Sequence, residues 1–169
     1  MDKNIVKEKF SKITLWKRSG ERAPHKPLLI LYALGRLLWD KERLIPYEDI
    51  DNEVVKLLRD FGPDRASYRP EYPFWRLQKD QIWEVVNAEN IELTKSGDPK
   101  KSDLIGSHVK GGFSEVIFQE LQKDYQLFQD IIQELLYANF SETVHENILQ
   151  SVGIDIDQPF VNDKKTETI

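Results

Sequence analysis

Residues 65–76, Arg65-Ala66-Ser67-Tyr68-Arg69-Pro70-Glu71-Tyr72-Pro73-Phe74-Trp75-Arg76, hold four aromatics, three arginines and two prolines. Each proline fixes its own φ and biases the preceding residue toward extended geometry, so the segment reads as a stiff, non-helical run. Guanidinium groups on a rigid support suit phosphate recognition, because their donors form a fixed fork. The same residues also fit a hairpin lead-in with core aromatics and solvated arginines.

Two further clusters could meet the same chemistry. Pro24-His25-Lys26-Pro27 precedes a long apolar run, and Pro27 suits the first helical position, where a missing N–H costs nothing. His25 and Lys26 then sit at the positive end of that helix, where N–H groups, the helix dipole and a lysine make a seat for phosphate. A capping role for His25 fits the residues as well. In Ser107-His108-Val109-Lys110-Gly111-Gly112-Phe113 the two glycines allow positive φ and close backbone approach to a ligand, with His108 and Lys110 beside them. A glycine-shaped loop leading into a helix is the alternative there.

Catalytic constellations are scarce. His25, His108 and His145 lack the clustered spacing of a zinc hydrolase. Asp98-Pro99-Lys100 has the acid-x-basic spacing of some nuclease cores, but it falls in an expected turn and reads as chance. Gly111-Gly112 has neither the strand nor the spacing of a P-loop. There is no cysteine, hence no disulfide framework and no thiolate site. No cofactor and no metal is expected.

The elements that must position these residues follow from periodicity. Ile5, Val6, Phe10, Ile13 and Trp16 recur at helical spacing over 4–16, with Lys3, Lys7, Lys9 and Lys12 on the other face. A basic loop, 17–23, follows. Residues 28–39 are apolar nearly all round and predict a buried central helix. Residues 44–47 read as a short extended piece, and a helix capped by Asp49 or Asp51 runs to Phe61, stopped by Gly62-Pro63. Alternation over 74–78 and 82–86 predicts a β-hairpin. Gly97-Asp98-Pro99 marks a turn. Ser114 caps a long helix carrying Ile117, Leu121, Tyr125, Phe128, Ile132 and Leu135, and Ser141 caps another that Gly153 stops. The expected fold is α+β and mostly helical, a winged-helix-like helical domain with a small β-hairpin. It spans residues 1–155, with a polar tail over 156–169.

The net charge of −5 hides an asymmetry. Residues 1–26 carry eight Lys/Arg against three Asp/Glu, and residues 114–169 carry three against eleven. A basic front and an acidic back is the distribution expected when one face meets phosphate; a solvated dipolar surface is the other reading. No apolar run approaches a membrane span and no signal peptide opens the chain, so a cytoplasmic protein without membrane contact is expected.

Three separated stretches also resemble a known family. Tyr72-Pro73-Phe74-Trp75-Arg76-Leu77 followed by Ile82-Trp83-Glu84-Val85, His25-Lys26-Pro27-Leu28-Leu29-Ile30-Leu31-Tyr32-Ala33-Leu34-Gly35, and Gly111-Gly112-Phe113 are similar to the DNA sulfur-binding domain of phosphorothioation-dependent type IV restriction endonucleases. The resemblance runs from about residue 23 to residue 125. The chain departs from the pattern at Lys79-Asp80-Gln81, where Asn-Asp-Gly is expected.

The resemblance implies a reader of double-stranded DNA with a phosphorothioate linkage, whose cleavage, if any, belongs to a separate nuclease domain or protein. His25, Lys26, Arg65, Ser67, Arg69, His108 and Lys110 are then the expected DNA contacts, and Tyr68, Pro70, Gly111 and Gly112 the expected sulfur cup. A winged-helix regulator of unmodified DNA would read bases through Asn52, Lys56 and Arg59. A protein-interaction module would use the acidic helices after Ser114.

Overall fold

The computed structural model describes residues 2–15 and 24–155. The basic loop 17–23, Trp16 and the polar tail lie outside the described residues. Helix α1 (Lys3–Leu15) buries Val6, Phe10 and Ile13, one face of a 3.6-residue period. Helix α2 (His25–Trp39) buries every residue from Pro27 to Gly35 and forms the centre of the core. It begins two residues earlier than Pro27 suggests, with Pro24 at its N-cap, so His25 and Lys26 belong to its first turn.

Strand β1 (Ile45–Pro46) leads directly into helix α3 (Tyr47–Phe61), which Gly62 ends as expected. Neither Asp49 nor Asp51 caps α3, because the helix already starts at Tyr47. Asp51 instead accepts the Tyr47 hydroxyl at 3.0 Å and pairs with Lys101 at 3.2 Å.

The predicted hairpin between 74–78 and 82–86 does not form. Residues Glu71–Arg76 are helix α4, followed by a 3₁₀ turn, Leu77–Asp80. The alternation over 74–78 concealed a helical period: Pro70, Pro73, Phe74 and Leu77 are buried, at i, i+3, i+4 and i+7. A proline's fixed φ is as compatible with the first turn of a helix as with extended chain, so Pro70 at the N-cap and Pro73 both fit. The run 65–76 is therefore non-helical only up to Pro70.

Strand β2 (Trp83–Val86) pairs instead with the later strand β3 (Lys110–Phe113), which follows helix α5 (Lys101–Gly106). Register places Trp83 opposite Phe113 and Val85 opposite Gly111, and β1 pairs on the other side with Ile45 opposite Gly111. The antiparallel order β1-β3-β2, with α2 before β1 and α3 and α4 between β1 and β2 in sequence, is a winged-helix-like arrangement. Its α4 is the short third helix.

The single long helix expected after Ser114 is two. Helix α6 (Glu115–Lys123) ends where Asp124 turns extended (φ −130°, ψ 92°) and caps helix α7 (Tyr125–Asn139), accepting the Leu127 N–H at 3.1 Å. Ser141 caps a 3₁₀ turn before helix α8 (His145–Val152), and Gly153 closes it in the left-handed conformation. No helix among the described residues is long and apolar enough to cross a membrane.

A line of edge-to-face aromatics ties these elements together. Tyr47 meets Phe74 at 4.9 Å, Phe74 meets Trp83 at 6.1 Å, Trp83 meets Phe113 at 5.7 Å and Phe113 meets Phe10 at 6.1 Å between ring centroids. The inner side of α4 is thereby fixed to α3, both longer strands and α1. Its outer side is left to carry a site.

Candidate nucleic-acid interface

One open groove brings together residues far apart in sequence. The first turn of α2 gives it Pro24, His25 and Lys26; the loop before α4 gives Arg65, Ser67, Tyr68 and Arg69; and α4 gives Tyr72, Pro73, Trp75 and Arg76. Asp80, Leu93, the turn 96–98 and the end of α7 from Tyr137 to Phe140 complete its walls.

The cations around it are organised by aromatic and acidic partners. Two guanidinium groups stand over the Tyr72 ring, Arg76 at 4.8 Å and Arg69 at 5.9 Å from its centroid. Arg76 also donates Nε and Nη2 to the two oxygens of Asp98, at 2.9 and 2.6 Å. Asp98 is 2% exposed and takes a third hydrogen bond from Ser96 at 3.1 Å. The hydrogen bonds from Arg76 hold the Asp98 carboxyl below the usual carboxylate range. Asp98 thus serves with Arg76 as a clip that fastens the 93–98 loop to α4, and its spacing to Lys100 plays no part in it.

Arg69 reaches buried Glu71 at 3.9 Å, and Lys26 donates to Asp80 at 2.7 Å. Arg65 is exposed and makes no ion pair among the described residues. Burial, and then the positive charges of Arg65 and Arg76, hold His25 below the usual imidazole range. Near neutral pH it is therefore an uncharged donor or acceptor among cations. Tyr68, half-buried, donates its hydroxyl to the Pro63 carbonyl at 3.2 Å and turns its ring to the groove wall.

Of the expected contact residues, the groove collects His25, Lys26, Arg65, Ser67, Tyr68 and Arg69. Five others fall elsewhere. Pro70, at the α4 N-cap, lies outside the groove walls, and Pro73, buried like it, lines the groove in its place. His108 (φ 54°) and Lys110 are exposed at the entrance to β3, outside the groove walls.

Gly111 and Gly112 are buried within β3, and neither has positive φ. They do permit a close approach, but to the protein's own core. A Cβ on Gly111 would lie 2.5 Å from the Phe74 ring, and one on Gly112 would lie 1.8 Å from the Arg43 carbonyl oxygen. Tyr72, Pro73, Trp75 and Arg76 belong to the sequence motif, yet only the folding of α4 brings them to the groove. The end of α7 carries no sequence signal for it at all.

A winged-helix sheet, with a short third helix that lines a cation-rimmed groove over an aromatic and proline floor, defines the class: a mostly helical α+β winged-helix-like domain with one built surface site. The chain belongs to the ScoMcrA-like DNA sulfur-binding domain family, whose model matches residues 3–157. Its fold is shared with the sulfur binding domain of ScoMcrA complexed with phosphorothioated DNA (TM-score 0.79, 24% identity, 88% of this chain and 94% of that one). The sulfur binding domain of SprMcrA complexed with phosphorothioated DNA is similar too (TM-score 0.72, 20% identity, 93% of this chain and 99% of that one). The match to the type IV phosphorothioation-dependent restriction endonuclease ScoMcrA spans 32% of that chain (TM-score 0.74, 23% identity). At these identities the likeness is one of fold. No protein of curated function matches the chain in sequence.

Proposed function

We propose that this domain is a non-catalytic reader of duplex DNA carrying a phosphorothioate, with the sulfur seated on the Tyr72–Pro73 floor and flanking phosphates held by Lys26, Arg65 and Arg69. The observation that carries the reading is the meeting of α2's first turn with the 65–76 segment in one groove, in a chain of this family. Sulfur is larger, more polarizable and less well hydrated than oxygen. An apolar floor of proline and tyrosine accepts it, whereas an oxygen there loses hydrogen bonds to water. Burying about 40 Å² of sulfur at roughly 25 cal/mol/Å² stabilises the complex by on the order of 1 kcal/mol. Desolvation of a competing oxygen adds to the preference.

The cations supply affinity for any duplex, and the floor supplies the discrimination. Base reading by α3 has less support, since Asn52, Lys56 and Arg59 all lie outside the groove and Lys56 is paired with Glu53 at 3.4 Å. Asp98, occupied by Arg76 and Ser96, is poorly placed to serve a nuclease. The test is binding to two duplexes of one sequence, with and without a single phosphorothioate, at moderate salt. Tighter binding of the sulfur-bearing duplex, with neither cut in the presence of Mg²⁺, is expected. Equal affinity, or metal-dependent nicking lost in Asp98→Ala, would overturn the reading.

A further inference from the structure

Lys26, Arg69 and Arg76 each have a carboxylate partner, but the three carboxylates are not alike. Glu71 and Asp98 are 3% and 2% exposed, so each lies beneath its arginine and leaves the guanidinium facing outward. Asp80 is different. Its side chain is 23% exposed against 31% for Lys26, so among these three carboxylates it is the one open to the groove. The carboxylate therefore occupies ligand space beside the ammonium, 2.7 Å from Nζ, at the mouth of α2's first turn.

The turn that holds it is fixed from both sides. Leu77, the residue that opens the 3₁₀ turn, is fully buried. Gln81, which ends it, is left-handed (φ 65°) and accepts from Lys9 at 2.5 Å. Asp80 is thus presented to Lys26 by a built turn.

We propose that Asp80 is an internal stand-in for a DNA phosphate, a residue that sets the threshold for binding by keeping Lys26 neutralised until a duplex displaces it. The proposal rests on the groove being the DNA site. An incoming phosphate must take Lys26 from Asp80 and then lie beside a like charge. That penalty falls on ordinary and sulfur-bearing backbones alike, and only a backbone with the added gain from sulfur binding overcomes it at physiological salt. Unmodified DNA, present in vast excess in any genome, is thereby kept off. Arg65, without an ion pair among the described residues, remains a cation that draws the duplex in.

Asp80→Asn removes the charge and keeps the shape. For an ordinary duplex at low salt its affinity should rise roughly three- to tenfold, as release of a partly exposed ion pair predicts. The log–log salt slope should steepen by about 1, since Lys26 then neutralises a phosphate from the start. Lys26→Gln should flatten the slope by about 1 in the Asp80→Asn background and by clearly less in the wild-type background. Asp80→Ser gives the same comparison without an amide that can hold Lys26.

Unchanged or weaker binding by both Asp80 variants, with wild-type melting profiles, would overturn the proposal and make Asp80 a residue that positions Lys26. Because the readout is an ordinary duplex, it is independent of sulfur preference. The wild-type ratio between modified and unmodified duplexes, measured alongside, tests that reading separately.

Discussion

Arg65 and Arg76 show how little residue type alone decides. Both are arginines at the ends of one twelve-residue stretch. Arg76 is committed to Asp98 and to the Tyr72 ring, so it shapes the groove by holding other groups in place. Arg65 has no ion-pair partner among the described residues, so its charge is available to a phosphate at no cost in broken contacts. Replacing Arg65 with Ala should weaken binding to modified and unmodified duplexes by the same factor. It should also lower the magnitude of the log–log salt slope by about 1, as loss of one phosphate contact requires. Affinity measured across a salt series checks this. A loss confined to the modified duplex would move Arg65 from charge to sulfur recognition.

At the scale of elements, most of what the sequence announced was hydrophobic period, and it was legible where the element was long. The central helix was plain from residues 28–39, and the end of α3 at Gly62 and the Gly153 stop also lie where residue patterns put them. Short elements were not legible. Six residues of α4 and four of the 3₁₀ turn are too few to separate a period of 3.6 from one of 2, especially with prolines that suit both. The split at Asp124 was concealed because a cap in mid-pattern breaks the chain direction without breaking the apolar spacing. Gly111 and Gly112 were legible as positions of close approach, but what approaches is set by pairing with β2 and β1, a long-range fact.

That pairing makes a prediction about stability. Gly112→Ala places a methyl 1.8 Å from the Arg43 carbonyl oxygen, a backbone atom that cannot swing away. The cost should be about 3 kcal/mol, lowering Tm by roughly 6–12 °C for a domain of this size. Thermal melting of the variant beside Arg65→Ala, which should melt as wild type, is the check. An unaltered Tm for Gly112→Ala would return the glycine loop to candidacy as a ligand-facing element.

Over the whole molecule, charge and site are segregated. The end of α1, with Lys12, and the first turn of α2 line the groove, whereas Lys7 of α1 is paired to Asp130 of the acidic α7 at 2.9 Å. The exception is the end of α7, which brings Tyr137 to Phe140 to the groove's edge. A net charge of −5 therefore says little about the face a duplex would meet.

The central claim is that one non-bridging atom of one phosphate lies on an apolar floor while cations hold its neighbours. That geometry is chiral. In a phosphorothioate the sulfur replaces one of two non-bridging oxygens, and only one of the two diastereomers can turn it toward Tyr72 and Pro73. The measurement that tests the account most directly is the affinity of the wild-type domain for two duplexes of one sequence, each with a single stereodefined phosphorothioate at the same linkage. A difference of roughly tenfold or more is predicted, with the weaker diastereomer bound about as tightly as ordinary DNA. Equal affinity for the two, in folded protein at moderate salt, would contradict it.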